Sequence, residues 1–143
     1  MQSPVIDVVV SDTPPEDRDA VLAVLRTYNQ AQTGRVRAAD FAVLLRDPET
    51  EAVIGGLYGE ESYGWGFIKY LVVPENLRGL SLGSRLIKEA EEIARRRGFV
   101  GVWLDTYDFQ ARPFYEKLGY EVFGELEGGD GARGQFFLKK RFS

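Results

Sequence analysis

Two residue types are missing from this chain: its 143 residues include neither cysteine nor histidine. Without cysteine there is no disulfide framework and no thiol nucleophile. Without histidine a Ser-His-Asp triad is impossible, and with both absent so is a zinc site built from nitrogen and sulfur ligands. Only oxygen-ligand metals such as Mg²⁺ stay conceivable. A general base must then be Asp, Glu, Tyr, Lys or an ordered water.

Other shortages narrow the class further. No apolar run approaches the roughly 20 residues that span a bilayer. Residues 1–12 lack a charged start followed by a long apolar stretch, so they do not read as a signal peptide. A cytoplasmic protein with no membrane partner is expected. The net charge of −4 argues against nucleic acid as a partner and tolerates a cationic substrate. There is no internal repeat, low-complexity tract or interdomain linker. With 44% apolar residues, the chain reads as one domain over residues 1–143.

The β-branched run at residues 5–10 predicts a first strand. Thr13, Pro14 and Glu16 have the spacing of a capping box with proline at the first helical position. A helix follows, with Val21, Leu25 and Tyr28 on one face and Leu22 and Asn29 beside them, ending before Gly34. Strands are expected at residues 41–45, 52–58 and 66–73, the last two forming a hairpin through a turn at residues 59–64. Residues 81–97 give the clearest helix. Leu86, Ile87, Ala90, Ile93 and Ala94 form one apolar stripe, and Glu91/Arg95 and Glu92/Arg96 pair on the outer face. A strand at 100–104, a short helix at 110–118 and strands at 120–123 and 135–139 complete the order, with a Gly-rich mobile loop at 127–134. The pattern fits a mixed α/β sheet and not a doubly wound dinucleotide fold, because the β-rich middle has no intervening helices.

One stretch points to chemistry. Leu71, Val72 and Val73 end a strand, Arg78-Gly79-Leu80-Ser81 turn, and Leu82-Gly83-Ser84 open the strongest helix. A helix N-terminus offers unpaired N–H groups and the positive end of a dipole, which suits a phosphate or pyrophosphate. Gly79 and Gly83 let the backbone approach such a ligand, and Arg78 adds charge. An ordinary strand–turn–helix connection would carry the same glycines. The Gly-Lys-Ser/Thr of a nucleotide P-loop and the G-x-G-x-x-G of a dinucleotide fold are absent.

The stretch Arg78-Gly79-Leu80-Ser81-Leu82-Gly83 resembles the Arg/Gln-x-x-Gly-x-Gly/Ala signature of the GNAT acetyltransferase superfamily, with Ser81 where the middle glycine is expected. Asp108-Phe109-Gln110-Ala111-Arg112-Pro113-Phe114-Tyr115-Glu116-Lys117-Leu118-Gly119-Tyr120 is similar to a second motif of that family, with Asp108 where asparagine is usual. A short amphipathic helix would account for Phe114 and Leu118, but not for two motifs in the right order and at the right distance.

The resemblance implies a GNAT-like fold: a mixed, mostly antiparallel sheet, helices on both faces and a splayed central strand pair. It implies that backbone groups of Leu71, Val72 and Val73 bind the pantetheine arm of acetyl-CoA. Arg78, Gly79, Leu80, Ser81, Leu82, Gly83 and Ser84 would hold the pyrophosphate, and Asp108 would belong to the coenzyme site. Tyr115 takes the place of the tyrosine that protonates the leaving thiolate. The implied reaction is direct acetyl transfer to a primary amine of a small molecule or peptide, with no metal; a homodimer is compatible with this. Glu60, Glu61, Tyr63, Tyr70 and a water chain stay open as the base, and Trp65 as part of the acceptor site. The competing reading is a non-catalytic acyl-CoA-binding or regulatory module.

Overall fold

A computed structural model describes residues 2–10 and 15–143. The chain forms two compact units, Met1–Arg37 and Ala38–Ser143.

In the first unit the expected helix is present as α1, Pro15–Thr33. Gly34 closes it by donating its N–H to the Gln30 carbonyl at 2.8 Å. No side chain of α1 is buried. Thr13 and Pro14 of the expected capping box lie outside the described residues. The strand expected at residues 5–10 does not form: Val5, Ile6, Val8, Val9 and Val10 are exposed and no strand pairs with them. β-propensity marks a segment that fits a pleated, half-buried surface, and a strand exists only where a ladder receives it.

The second unit is built on six strands: β1 Phe41–Arg46, β2 Val53–Ser62, β3 Trp65–Val72, β4 Gly101–Tyr107, β5 Glu121–Leu126 and β6 Gln135–Arg141. Their order is β1-β2-β3-β4-β6-β5. Every neighbouring pair is antiparallel except β3 and β4, which run parallel. That pair needs a crossover, supplied by α2, Leu82–Arg96. The short helix α3, Arg112–Lys117, follows β4.

The hairpin turn is tighter than the sequence suggested. β2 runs to Ser62, and only Tyr63 and Gly64 turn, at φ 48° and 93°. Two residues at positive φ match the right-handed twist of the flanking strands, so the polar Glu60 and Glu61 stay in the ladder. The loop at residues 127–134 also has definite structure, a bridge between Gly129 and Ala132.

The apolar stripe of α2 meets the sheet. Leu86, Ile87, Ala90 and Ala94 join Leu57, Ile68, Val102, Leu104 and Leu138 in one buried core, with Phe114, Tyr115 and Leu118 packed against it. Two carboxylates are buried in this unit, Glu61 and Glu91. Glu91, 4% exposed, accepts hydrogen bonds from Tyr120 Oη at 2.8 Å and Lys140 Nζ at 3.1 Å. A buried carboxylate is tolerable only when paired in this way. The network ties α2 to the start of β5 and the end of β6. Sequence pairing of Glu91 with Arg95 holds more loosely, at 3.8 Å.

β4 enters the sheet through a close approach. A Cβ on Gly101 would meet the Lys140 carbonyl and lie 2.6 Å from the Trp65 ring. Gly101→Ala is therefore expected to lower unfolding free energy by about 1–3 kcal/mol through overpacking, read as a lower urea midpoint. An unchanged midpoint would show that Trp65 and β6 can give way.

Candidate active site

The parallel ladder between β3 and β4 runs from Trp65↔Gly101 to Ile68↔Leu104 and goes no farther. Both strands continue. β3 stays paired with β2 to Gly56↔Val72, and β4 stays paired with β6 to Tyr107↔Gln135. The cause lies in the register of β2 and β3, where Tyr58 faces Tyr70 but the next residue, Gly59, faces Ile68. Lys69 is thus an extra residue on β3, a β-bulge that bends and twists its strand. The bend begins one residue after the last pair with β4, so the two strands part there.

The gap opens into a cleft of about 1360 Å³. One wall is β3 from Ile68 to Val72, with Val73 beyond it; the other is Asp105 and Tyr107 of β4. Leu77, Arg78, Gly79, Ser81 and the first residues of α2 line the mouth, and Ala111, Phe114 and Tyr115 close the far side. The edge of β3 that would have faced β4 beyond Ile68 opens on the cleft, where a ligand can meet its polar backbone groups.

Leu71, Val72, Val73, Arg78, Gly79, Ser81, Leu82, Gly83, Ser84 and Tyr115, singled out from the sequence, all line this one cleft. Leu80 does not; it is 61% exposed on the outside of the turn. Asp108 stands apart as well. Its carboxylate pairs with Arg133 at 2.7 Å and accepts the Gly134 N–H at 3.0 Å, so it fastens the β5–β6 loop to the end of β4. Gln110 lines the cleft instead, and its side-chain oxygen accepts the Tyr107 N–H at 2.8 Å.

Two residues of the turn, Ser81 and Gly83, have distinct structural roles. Ser81 sits at φ 59°, ψ 24°, in the left-handed region, with no side-chain capping bond. The family glycine would take that conformation without strain. Gly83 is needed for packing as much as for a ligand, because a Cβ there would lie 3.0 Å from the Phe114 ring. That contact seats α3 on the N-terminus of α2.

Tyr115 is half-buried, its ring edge-on to Phe114 and Tyr120. Burial, and secondarily the charge of Asp105, pushes its hydroxyl up to about 12. It therefore stays protonated, a donor, at any working pH. The base candidates from the sequence are dispersed. Tyr70 lines the cleft. Glu61 is buried and accepts the Ala38 N–H at 2.6 Å. Tyr63 is in the hairpin turn, and Glu60 does not line the cleft. Trp65 lies at the closed end of the β3–β4 ladder, under the Arg141 guanidinium, and takes no part in the cleft.

Sequence reasoning missed Asp105. In β4, Val102, Leu104 and Thr106 are buried while Trp103, Asp105 and Tyr107 alternate to the other side. Such a residue reads as an ordinary outward-facing polar position of a strand. Only the loss of the neighbouring strand after Leu104 turns it into a cleft residue.

A parallel pair parted by a bulge, a helix N-terminus at the mouth and a tyrosine on the wall thus surround one cleft. The model of the acetyltransferase (GNAT) family matches residues 8–120, and this chain belongs to that family. An acetyltransferase of Agrobacterium fabrum is 33% identical over 135 residues, 94% of this chain and 98% of that one. A crystal structure of an Agrobacterium tumefaciens acetyltransferase superposes with a TM-score of 0.85 at 33% identity, covering 96% of this chain and all of the other. A Bacillus anthracis acetyltransferase solved in complex with acetyl coenzyme A has the same fold, with a TM-score of 0.61 at 22% identity over 76% of this chain and 65% of that one. The fold expected from the sequence, a mixed and mostly antiparallel sheet with a splayed central pair, is the fold found. Among the described residues no helix is long and apolar enough to cross a membrane, and no acidic cluster could hold a metal ion.

The left-handed Ser81 gives a direct test. A non-glycine residue there costs about 1–2 kcal/mol, which glycine relieves while adding about 0.4–1 kcal/mol of unfolded-chain entropy. Ser81→Gly should keep unfolding free energy within about 1 kcal/mol of wild type and bind coenzyme A at least as tightly. Ser81→Val, branched and forced out of this conformation, should lose both stability and affinity. Urea titration and calorimetry read the two; tighter binding by the valine variant would contradict the assigned conformation.

Proposed function

We propose that this protein is a single N-acetyltransferase domain that moves the acetyl group of acetyl-CoA directly onto a primary amine. The observation that carries the reading is the cleft itself, which puts the open edge of β3, the N-terminus of α2 and the hydroxyl of Tyr115 around one space. Family membership supports acetyl-CoA as donor, as does the Bacillus anthracis relative that holds it. Direct transfer is supported by the absence of cysteine, which leaves no thiol to carry the acetyl group.

Each part has a physical role. Acetyl-CoA supplies an activated acyl thioester. The amides at the start of α2 and the Arg78 guanidinium suit its diphosphate, where the helix dipole favours negative charge. The open edge of β3 suits the amide groups of the pantetheine arm, as an added strand would. A backbone N–H from Leu71, Val72 or Val73 is the donor for the carbonyl oxygen as negative charge gathers on it. Tyr115 donates toward the sulfur.

The raised pKa of Tyr115 sets the size of that last effect. A free thiol titrates near 8.5, well below a phenol at about 12, so full proton transfer from Tyr115 to the departing thiolate runs uphill. Its contribution is a hydrogen bond that steadies the sulfur as the bond breaks. General-acid groups are worth about 10²–10⁴-fold, and this one belongs at the lower end.

Two measurements test the reading. Acetyl-CoA should raise the melting temperature, because it binds only native protein. Thiol release should then appear with at least one amine of a panel of putrescine, ethanolamine, glucosamine and lysine amide. Saturable acetyl-CoA binding without turnover of any amine would favour a binding module. Tyr115→Phe should cut the single-turnover rate about 10²-fold and leave acetyl-CoA affinity nearly unchanged. A rate within about twofold of wild type would remove Tyr115 from the mechanism.

A further inference from the structure

The reaction needs a group that takes a proton from the amine, because an alkylammonium has no lone pair to attack with. The chain has no histidine to do it. Among the residues lining the cleft Asp105 is the sole carboxylate; the other charged ones, Lys69 and Arg78, are cations. Asp105 is the first residue of β4 beyond the last pair with β3, so it stands where the cleft begins to open. It is close enough to Tyr115 for its charge to act on that hydroxyl, and the Gln135 side chain of β6 lies near it.

We propose that Asp105 is the acceptor-side catalytic carboxylate: it receives the substrate as an ammonium ion and takes the proton that frees the amine. This rests on the amine-transfer reading above and goes beyond it by assigning the base. Tyr107 and Tyr70 line the same cleft, one on each wall.

The step balances. One ammonium proton passes to the Asp105 carboxylate. The freed nitrogen lone pair forms the C–N bond, the C–S bond breaks and its electron pair leaves on sulfur. A second nitrogen proton ends on sulfur, giving an amide and free thiol, and Asp105 returns its proton to solvent.

The surroundings suit the task. Burial raises the pKa of Asp105, against the lowering effect of Gln135. That brings a weak base nearer the working pH. Of the other titratable groups lining the cleft, Tyr115 of α3, with a pKa of about 12, feels its charge, and Lys69 and Tyr70 belong to the β3 wall. The role of base thus falls to a residue that sequence reading passed over.

The test is Asp105→Asn, which keeps the shape and the hydrogen-bonding capacity toward Gln135. Asp105→Glu is the second variant, and acetyl-CoA calorimetry shows that both are folded. The substrate is whichever amine of the four-member panel wild type turns over fastest. Wild-type kcat/KM should be flat from about pH 7 to 8.5, since enzyme carboxylate and substrate ammonium are both present there. The asparagine variant should fall at least about 10²-fold at pH 7 and then rise about tenfold per pH unit, following free amine in solution. The glutamate variant should keep the wild-type profile at a reduced rate. An unchanged rate, or a loss equal at every pH, overturns the assignment. Wild type inactive on every amine would instead sink the amine-transfer reading, and this one with it.

Discussion

A single extra residue, Lys69, sets where β3 leaves β4. Antiparallel pairing with β2 continues past it, so β3 keeps one side of its ladder and gives up the other. A bulge bends its strand and increases local twist, and in a parallel pair with no further partner that bend becomes a gap. The cleft lies along this opening. Had β3 stayed in register, Asp105 and the edge of β3 would lie inside a continuous sheet.

A gap in a sheet must be held open by what surrounds it. Here the buried Glu91 network does part of that work, joining α2 to Tyr120 and Lys140. Phe114, packed where Gly83 leaves room, joins α3 to the start of α2. The helix that offers its N-terminus and the helix that offers Tyr115 are thus fixed to each other across the cleft. Tyr120 serves both parts: its hydroxyl binds Glu91 and its ring meets Tyr115.

The chemistry divides along the cleft by charge. Arg78 and the dipole of α2 make the mouth attractive to an anion, while beyond Leu104 Asp105 contributes the sole carboxylate among the lining residues, with Lys69 on the opposite strand. A donor carrying phosphates and an acceptor carrying an ammonium would therefore find different ends of one space. Because neither histidine nor cysteine is present, the side chains and backbone left to the cleft include a guanidinium, a carboxylate, a phenol and amides.

What the sequence determined by itself was local. The periodicity of α2, the strands around it and the turn from Arg78 to Ser84 were legible because each is written in neighbouring residues, as helical spacing, β-branched runs and glycines. Tyr115 could be placed because its motif is contiguous. Asp105 could not, since nothing beside it says that β3 departs one residue earlier in the ladder. That Arg133 and Gly134, far along the chain, hold the carboxylate of Asp108 could not be read from its motif. Residues 5–10 carry every local mark of a strand and yet have no ladder, because pairing is decided by a partner and not by propensity. Tertiary structure decided these matters for one physical reason: register and strand pairing are long-range contacts, and they alone settle which side of a residue faces packed protein and which faces a cleft.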